Sequence, residues 1–381
     1  MTLVRTLLAS ALLLATPTLL AQSVQITGFG QMVAGTVSDG DSFPGTGYDS
    51  DWDYKDESLF ALQIRGDLND QWSATAQLVA RGRDDFEPEF AWAYVGWNGG
   101  NGWSAKLGRQ RLPLYRYSDF LEVGYAFPWL RVPNAIYNLE FNNFDGASAA
   151  YAFGTGDWFT TVQGSAGRFE GDIELSGNPA DAELASLVGV SAETIYADWL
   201  TLRAGYFKAD VTIVSPALSP LLTALRTNGF GNVASRIDYD NDPGSFWSAG
   251  AEVNRGNLWL AGEIIGVEVE DAFLADRSEY YLSGGYRFGQ WMPTLTWGRR
   301  DNEAKPEIVA LLPNVAPLAG LRAATAGVVL SEDIDATYWS YGLRWDVATN
   351  VALKADYTRF EDDGANAREN DAVAFGAVFS F

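Results

Sequence analysis

The chain has 381 residues, a formal net charge of −23 and a pI of about 4.3, and it contains neither cysteine nor histidine. The acidic balance argues against a nucleic-acid partner, since nucleic-acid binding needs a basic surface. The missing residue types exclude a disulfide scaffold, histidine-based hydrolysis and nearly all zinc catalysis. We therefore expect no cofactor and no metal site, and an enzyme is the weakest candidate class.

The first 21 residues have the pattern of a secretory signal peptide. Arg5 precedes an apolar run at 7–15, and small residues lead to an exit at Ala21. The apolar run is too short to cross a bilayer as a helix, which favours cleavage over a membrane anchor. The prediction is a signal peptide at 1–21 and one mature domain at 22–381.

From residue 22 onward, alternating segments of about ten residues recur, separated in turn by short and long connections. The pattern predicts sixteen strands, at 24–37, 59–68, 72–83, 90–97, 103–109, 147–153, 158–169, 191–197, 200–213, 246–254, 258–270, 278–288, 291–300, 335–347, 351–360 and 371–381. Seven turns and eight longer connections join them, one of the latter at 170–190.

The predicted fold class is all-β, a 16-stranded antiparallel transmembrane β-barrel. Tryptophan and tyrosine recur at strand ends, as in the aromatic girdles of such barrels. A soluble β-sandwich also alternates, but it gives no reason for this placement. A barrel of sixteen strands encloses a water-filled lumen.

Residues 110–144, the third long connection, fit no regular period. They contain three prolines and nine aromatic residues. A structureless connection of this length is functional or disordered, and its aromatic content argues against disorder. We expect this connection to fold back onto a larger part of the structure.

Three stretches resemble known outer-membrane proteins. The last strand ends on Phe381 and resembles the C-terminal assembly signal of outer-membrane barrels. WSAKLGRQ (103–110) is similar to the fifth strand of the Gram-negative general porin family, and FDGASAAYAFG (144–154) resembles the strand that leaves the third loop in that family. The resemblance implies a trimeric diffusion pore for small hydrophilic solutes or ions, whose third loop folds into the barrel. The implied surroundings are the lipid bilayer and lipopolysaccharide of a Gram-negative outer membrane.

Face parity turns charged residues inward, because a cation facing lipid at mid-membrane costs about 2–4 kcal/mol. The predicted lumen wall charges are Arg65, Arg81, Arg83, Arg109, Arg287, Arg300, Arg344 and Lys354. On the loop, the family resemblance implies acidic groups at Asp119 and Glu122, beside Arg116. One hypothesis is that Arg65, Arg81 and Arg83 face these acids and set ion selectivity. The alternative is that the arginines pair with the acids only to hold the loop.

The loop aromatics, notably Tyr115, Tyr117 and Phe120, allow two interpretations. They could guide sugars along the pore, or they could anchor the loop against the wall. Two further loops, at 214–244 and 301–332, carry helix-compatible apolar stretches that could act as lids or as contacts with a neighbouring subunit. A substrate-specific channel for sugars or small anions and a non-conducting adhesin or structural barrel remain as alternatives to the general pore.

Overall fold

A computed structural model describes residues 23–38, 43, 45–175, 178–364 and 367–381. The signal peptide predicted at 1–21 lies outside these residues. Within the described ranges, sixteen strands form one closed antiparallel barrel in which each strand pairs with its neighbours in sequence and β1 pairs with β16. The predicted number of strands and their arrangement are confirmed.

The strands are β1 (Ser23–Val37), β2 (Leu59–Asp67), β3 (Trp72–Arg81), β4 (Pro88–Gly100), β5 (Trp103–Arg111), β6 (Asn143–Thr155), β7 (Trp158–Leu175), β8 (Asn178–Tyr196), β9 (Leu200–Val214), β10 (Tyr239–Arg255), β11 (Leu258–Val269), β12 (Asp276–Tyr286), β13 (Trp291–Glu303), β14 (Ile334–Ala348), β15 (Val351–Asp362) and β16 (Arg368–Ser380).

Side chains alternate between an exposed apolar face and a largely polar inner face. On β12, Leu282 is 61% exposed whereas its neighbour Ser283 is 1% exposed, and Leu295 and Thr296 repeat the contrast on β13. The alternation follows from the two-residue period of a strand. Aromatic pairs lie near the short turns, such as Trp291 against Trp345 with ring centroids 4.8 Å apart.

The prediction of a long connection at 170–190 is wrong, because most of these residues belong to strands. β7 continues to Leu175 and β8 already starts at Asn178. The alternation persists through this hairpin: Ile173, Ala182 and Leu184 are buried, while the carboxylates between them are exposed. Acidic residues on the exposed face made the hairpin look like a loop, although the inner face keeps its apolar period.

Two long connections carry short helices. α1 (Ser219–Thr227) and α2 (Gly231–Ile237) lie between β9 and β10, and α3 (Pro306–Ala310) and α4 (Ala319–Leu330) lie between β13 and β14. Buried side chains from all four helices join one apolar cluster, among them Leu225, Val233, Ile308 and Val329. Single 3-10 turns occur at Gly82–Asp84, Ser118–Phe120, Gly124–Ala126 and Ala316–Leu318. Among the described residues, every helix is too short or too polar to cross a membrane.

Candidate functional site

The connection from β5 to β6, residues 112–142, is hereafter called the β5–β6 segment. It is slightly shorter than the predicted loop, because β5 continues to Arg111 and β6 starts at Asn143. Its side chains and backbone groups contact inner-face residues of β9 through β16. The site is therefore built from this one segment and the inner wall around it, which includes β3, where Arg81 meets Glu122.

Lys354 on β15 holds the backbone of the segment from the wall. Its buried ammonium group donates hydrogen bonds to the carbonyls of Gly124, Phe127, at 2.8 Å, and Trp129. A buried ammonium has three protons to place, and three carbonyls saturate it. Lys354, which was predicted to be a lumen wall charge, is thus committed to the segment.

Arg344 on β14 repeats this arrangement one strand away. Its Nη1 donates to the carbonyls of Tyr125 and Phe127, both at 2.9 Å, and its Nε donates to Asp346 at 2.8 Å. We call Arg344 and Lys354 the carbonyl clamp. A hydrogen bond from a charged donor contributes about 1.5–3 kcal/mol, which is more than a neutral one contributes, so the clamp is a strong anchor.

Trp129 anchors the segment through its side chain as well. The indole N–H donates to Ser283 Oγ at 2.9 Å and to Thr296 Oγ1 at 3.0 Å, which places the ring against β12 and β13. The ring also packs edge-on against Trp259, with centroids 4.8 Å apart. A buried indole needs such a partner for its N–H, and two hydroxyls supply it.

Arg131 ties the segment to two separate parts of the chain. Its guanidinium group binds both carboxylate oxygens of Glu57 at 2.7 Å and lies 3.3 Å from Asp356 on β15. The three side chains are largely buried. The bidentate geometry fixes the orientation of the guanidinium as well as its position.

Glu122 is the acidic anchor of the segment. It accepts from Arg81 at 2.5 Å and from Arg111 at 2.6 Å. Burial alone would raise the pKa of Glu122, but the guanidinium groups of Arg111 and Arg81 outweigh burial and lower this pKa from 4.5 to about 2. The carboxylate is therefore charged at any pH near neutrality.

A further anchor of the segment is built around Glu263 of β11, which is buried. Its two oxygens accept from the backbone N–H of Arg116 and from the hydroxyl of Tyr137, each at 2.7 Å. The guanidinium of Arg116 lies 3.3 Å from Glu193 and 3.6 Å from Glu252. The charge of Arg116 is thus balanced by wall carboxylates.

Of the six segment residues predicted from sequence, Arg116 and Glu122 are paired as described above. Tyr115 and Tyr117 are buried, and Phe120 packs edge-on against Tyr117 with centroids 5.4 Å apart. The contacts of these rings favour anchoring over the guidance of sugars. Asp119 is exposed and makes no ion pair or hydrogen bond with any described residue.

The expected cluster of Arg65, Arg81 and Arg83 opposite Asp119 and Glu122 does not form, and only Arg81 meets Glu122. Arg65 pairs with Asp67 at 3.1 Å, while Arg83 is exposed in the turn after β3. Along the β2–β3 ladder, Arg65 is six residues from the partner of Arg81, which is about 20 Å. The parity of the strand positions predicted that these arginines share the inner face, but it carries no information about their positions along the strands.

The structure corrects the predicted location of Arg109. It was expected on the inner face, but it shares the exposed face with Leu107, which is 67% exposed. Its strand partner Asp145 binds both ends of its guanidinium, at 2.9 and 2.8 Å. The inner face at this height belongs to Gln110, which bonds the buried hydroxyl of Ser148. The pair neutralises Arg109, so its charge does not need the lumen.

The remaining predicted wall charges lie on the inner face in ion pairs. Arg287 binds Asp346 at 2.5 Å, and Arg300 binds the buried Glu279 at 3.2 Å. Sequence reasoning missed several residues of the site, among them Glu57, Arg111, Arg131 and Glu263. Arg131 carried a usable signal, since a lone charge between Leu130 and Val132 in an aromatic stretch requires a buried partner. Within the described residues, no group of acidic side chains could hold a metal ion.

A closed barrel of sixteen strands with an apolar exposed face and a polar inner face defines the class of transmembrane channel barrels. The chain belongs to the Gram-negative porin family, whose model matches residues 8–381. It is a diffusion channel of the Gram-negative outer membrane. No curated protein matches the chain in sequence.

Solved structures agree with the fold. OmpF of Salmonella typhi in complex with daunomycin is 14% identical with a TM-score of 0.59, covering 95% of this chain and 98% of that one. An anion-selective porin from Comamonas acidovorans is 14% identical with a TM-score of 0.57, covering 94% and 99%. The trimer form of OmpT from Vibrio cholerae is 12% identical with a TM-score of 0.55, covering 94% and 99%.

Proposed function

We propose that this porin is a passive channel for small hydrophilic solutes and ions, and that the β5–β6 segment sets its width. The observation that carries the proposal is the carbonyl clamp, through which Lys354 and Arg344 hold the segment at four positions from Gly124 to Trp129. A segment fixed to the inner wall narrows the passage by a constant amount. The channel then works without a catalytic step.

The anchors leave little freedom for this part of the segment. The clamp, Trp129 and Arg131 act within eight residues. Trp129 reaches β12 and β13, the clamp reaches β14 and β15, and Arg131 reaches Glu57 before β2 as well as β15. Loss of one anchor leaves buried groups without partners, at about 1–3 kcal/mol for each unsatisfied group. A rigid constriction with a steady open current is the expected behaviour.

Planar-bilayer recordings test the proposal. Purified protein is expected to produce stepwise, stable currents in potassium chloride. A double variant, Lys354→Met with Arg344→Met, leaves the carbonyls of the segment without donors and is expected to increase the conductance and the open-channel noise. Arg65→Met removes one inner-face cation that does not touch the segment, so it serves as the matched control.

The possible outcomes separate the alternatives. Absence of conductance in the wild-type protein would support a non-conducting structural barrel. Wild-type currents that the double variant leaves unchanged in size and noise would show that the segment does not limit the passage. If Arg65→Met and the clamp variant have equal effects, the change in current comes from a general loss of positive charge on the wall and not from release of the segment.

We also propose that the protein is a homotrimer, with the bilayer and lipopolysaccharide against its exposed apolar face. Support for the trimer comes from the shared fold with OmpT of Vibrio cholerae, which has a trimer form. Voltage-induced closure in three equal steps is the expected signature, and single steps only would argue for a monomer.

We further infer that residues 1–21 are removed on export, which the N-terminal sequence of the purified protein tests.

A further inference from the structure

A polar cavity lies between the β5–β6 segment and the wall, at the end of the barrel where the short turns lie. It has a volume of about 170 Å³ and is lined by the ends of β10, β13 and β14 and by the segment around Phe127. This space holds several water molecules or a small solute. Its charged lining residues are Glu252, Arg287 and Arg344.

The carboxylate of Glu252 is only partly used. Its Oε2 accepts from the hydroxyl of Tyr117 and lies 3.6 Å from Arg116. Its Oε1 has no hydrogen bond to any residue in the described part of the chain. One carboxylate oxygen in the cavity is therefore available to a donor.

The guanidinium of Arg287 is also only partly used. Its Nη1 binds Asp346 at 2.5 Å, and its Nη2 has only the sulfur of Met292, at 3.6 Å. Two-fifths of the side chain is exposed. Arg344 differs, because it is committed to the segment carbonyls and to Asp346. Arg287 is therefore the cation that can accept an anionic group.

Two amides lie in the same cavity, those of Asn254 and Asn257. Neither side chain hydrogen-bonds to another of the residues that the structure describes. An amide both donates and accepts, so each can bind either end of a polar solute. The indole of Trp259 supplies an apolar surface beside them.

We propose that this cavity is a binding subsite for a small zwitterion of the α-amino-acid type. The ammonium group of the solute binds Oε1 of Glu252, and its carboxylate binds Nη2 and Nε of Arg287. A solute with both charges satisfies both groups, whereas a simple anion or cation satisfies one and leaves the other facing water. The proposal deepens and depends on the proposed conducting role, because the solute reaches the subsite through the lumen.

The test measures the block of single-channel current by L-serine, a zwitterion of suitable size. Acetate, methylammonium and glycerol serve as probes that carry only the anion, only the cation or neither charge. In the wild-type protein, L-serine is expected to reduce the current saturably at lower concentration than the other three. Glu252→Gln and Arg287→Gln are each expected to raise the half-blocking concentration at least tenfold.

The controls are charge changes on the same inner face, away from the cavity. Arg65→Gln matches Arg287→Gln, and Asp67→Asn matches Glu252→Gln; both controls are expected to retain the block by L-serine. Acetate that blocks as well as L-serine would overturn the zwitterion assignment in favour of a plain anion site. Ionic conductance without any block by L-serine would overturn the subsite while leaving the channel function intact, and absence of conductance would overturn the channel function itself.

Discussion

Glu122 decides how the β5–β6 segment responds to acid. It pairs with Arg81 and Arg111, and these partners lower its pKa from 4.5 to about 2. A carboxylate with a lowered pKa stabilises the folded arrangement fully above its ordinary pKa and loses this contribution as the pH falls towards the lowered value. The segment should therefore be insensitive to pH near neutrality and should loosen between about pH 4.5 and pH 2.

Open-channel noise against pH checks this prediction. The wild-type noise is expected to be constant from neutral pH to about pH 5 and to rise in more acidic solution, as the linkage requires. Glu122→Gln removes the titrating group, so its noise should be higher at neutral pH and should not show that rise. Asp119→Asn changes an exposed, unpaired acid and should follow the wild type. If Glu122→Gln shows the same rise of noise in acid as Asp119→Asn, the rise comes from the titration of a group other than Glu122.

Arg131 should dominate stability among the segment residues. Arg131→Met leaves Glu57 and Asp356 buried without their cation, which costs roughly 3–5 kcal/mol in comparable buried pairs. Arg65→Met removes an exposed pair with Asp67 and should cost no more than about 1 kcal/mol. Unfolding by urea in lipid vesicles, followed by the gel mobility of unheated samples, measures both. Equal midpoints would contradict a stabilising role for the buried pair.

The four helices pack on one another and share one apolar cluster with residues of the strands and of the β5–β6 segment. Leu225 of α1 is fully buried in the cluster shared with α2 to α4, so Leu225→Ala should cost about 2–5 kcal/mol of local stability. The expected result is faster tryptic cleavage after Arg226, with the barrel itself still folded. Leu311→Ala, at a position that is 45% exposed, is the matched control. Unchanged cleavage in Leu225→Ala would mean that the helices do not depend on this core.

At the scale of elements, sequence periodicity was reliable where one face was apolar and uninterrupted. It located β13 and β14 to within a few residues because their exposed faces are apolar and aromatic. It failed in β7 and β8, whose exposed faces turn acidic while their inner faces remain apolar. The helices were foreseen only as helix-compatible stretches, since their packing depends on two loops that are far apart in sequence.

For the whole molecule, closure depends on the contact between the first and last strands. Gly28 and Phe381 exchange two backbone hydrogen bonds of 2.9 Å, and a Cβ at Gly28 would lie 2.4 Å from the Phe381 ring. Gly28→Val should therefore displace the terminal residue and lower the yield of heat-resistant barrel on refolding into vesicles. Gly164→Val is the control, because a Cβ at Gly164 meets nothing within 4 Å. Equal yields for the two variants would show that barrel closure does not depend on this contact.

The sequence by itself determined the class of protein, the number of strands and the segment on which the site depends. These features are local or periodic: alternation, aromatic placement and the interruption at 110–144 can all be read along the chain. Only the tertiary structure decided which charges meet. Lys354 binds a carbonyl 230 positions away, and Arg109, which was expected in the lumen, lies on the exposed face with Asp145 as its partner. A strand pattern sets which face a residue takes, whereas its height in the barrel and its partner across the lumen follow from register and loop packing, which no local period encodes.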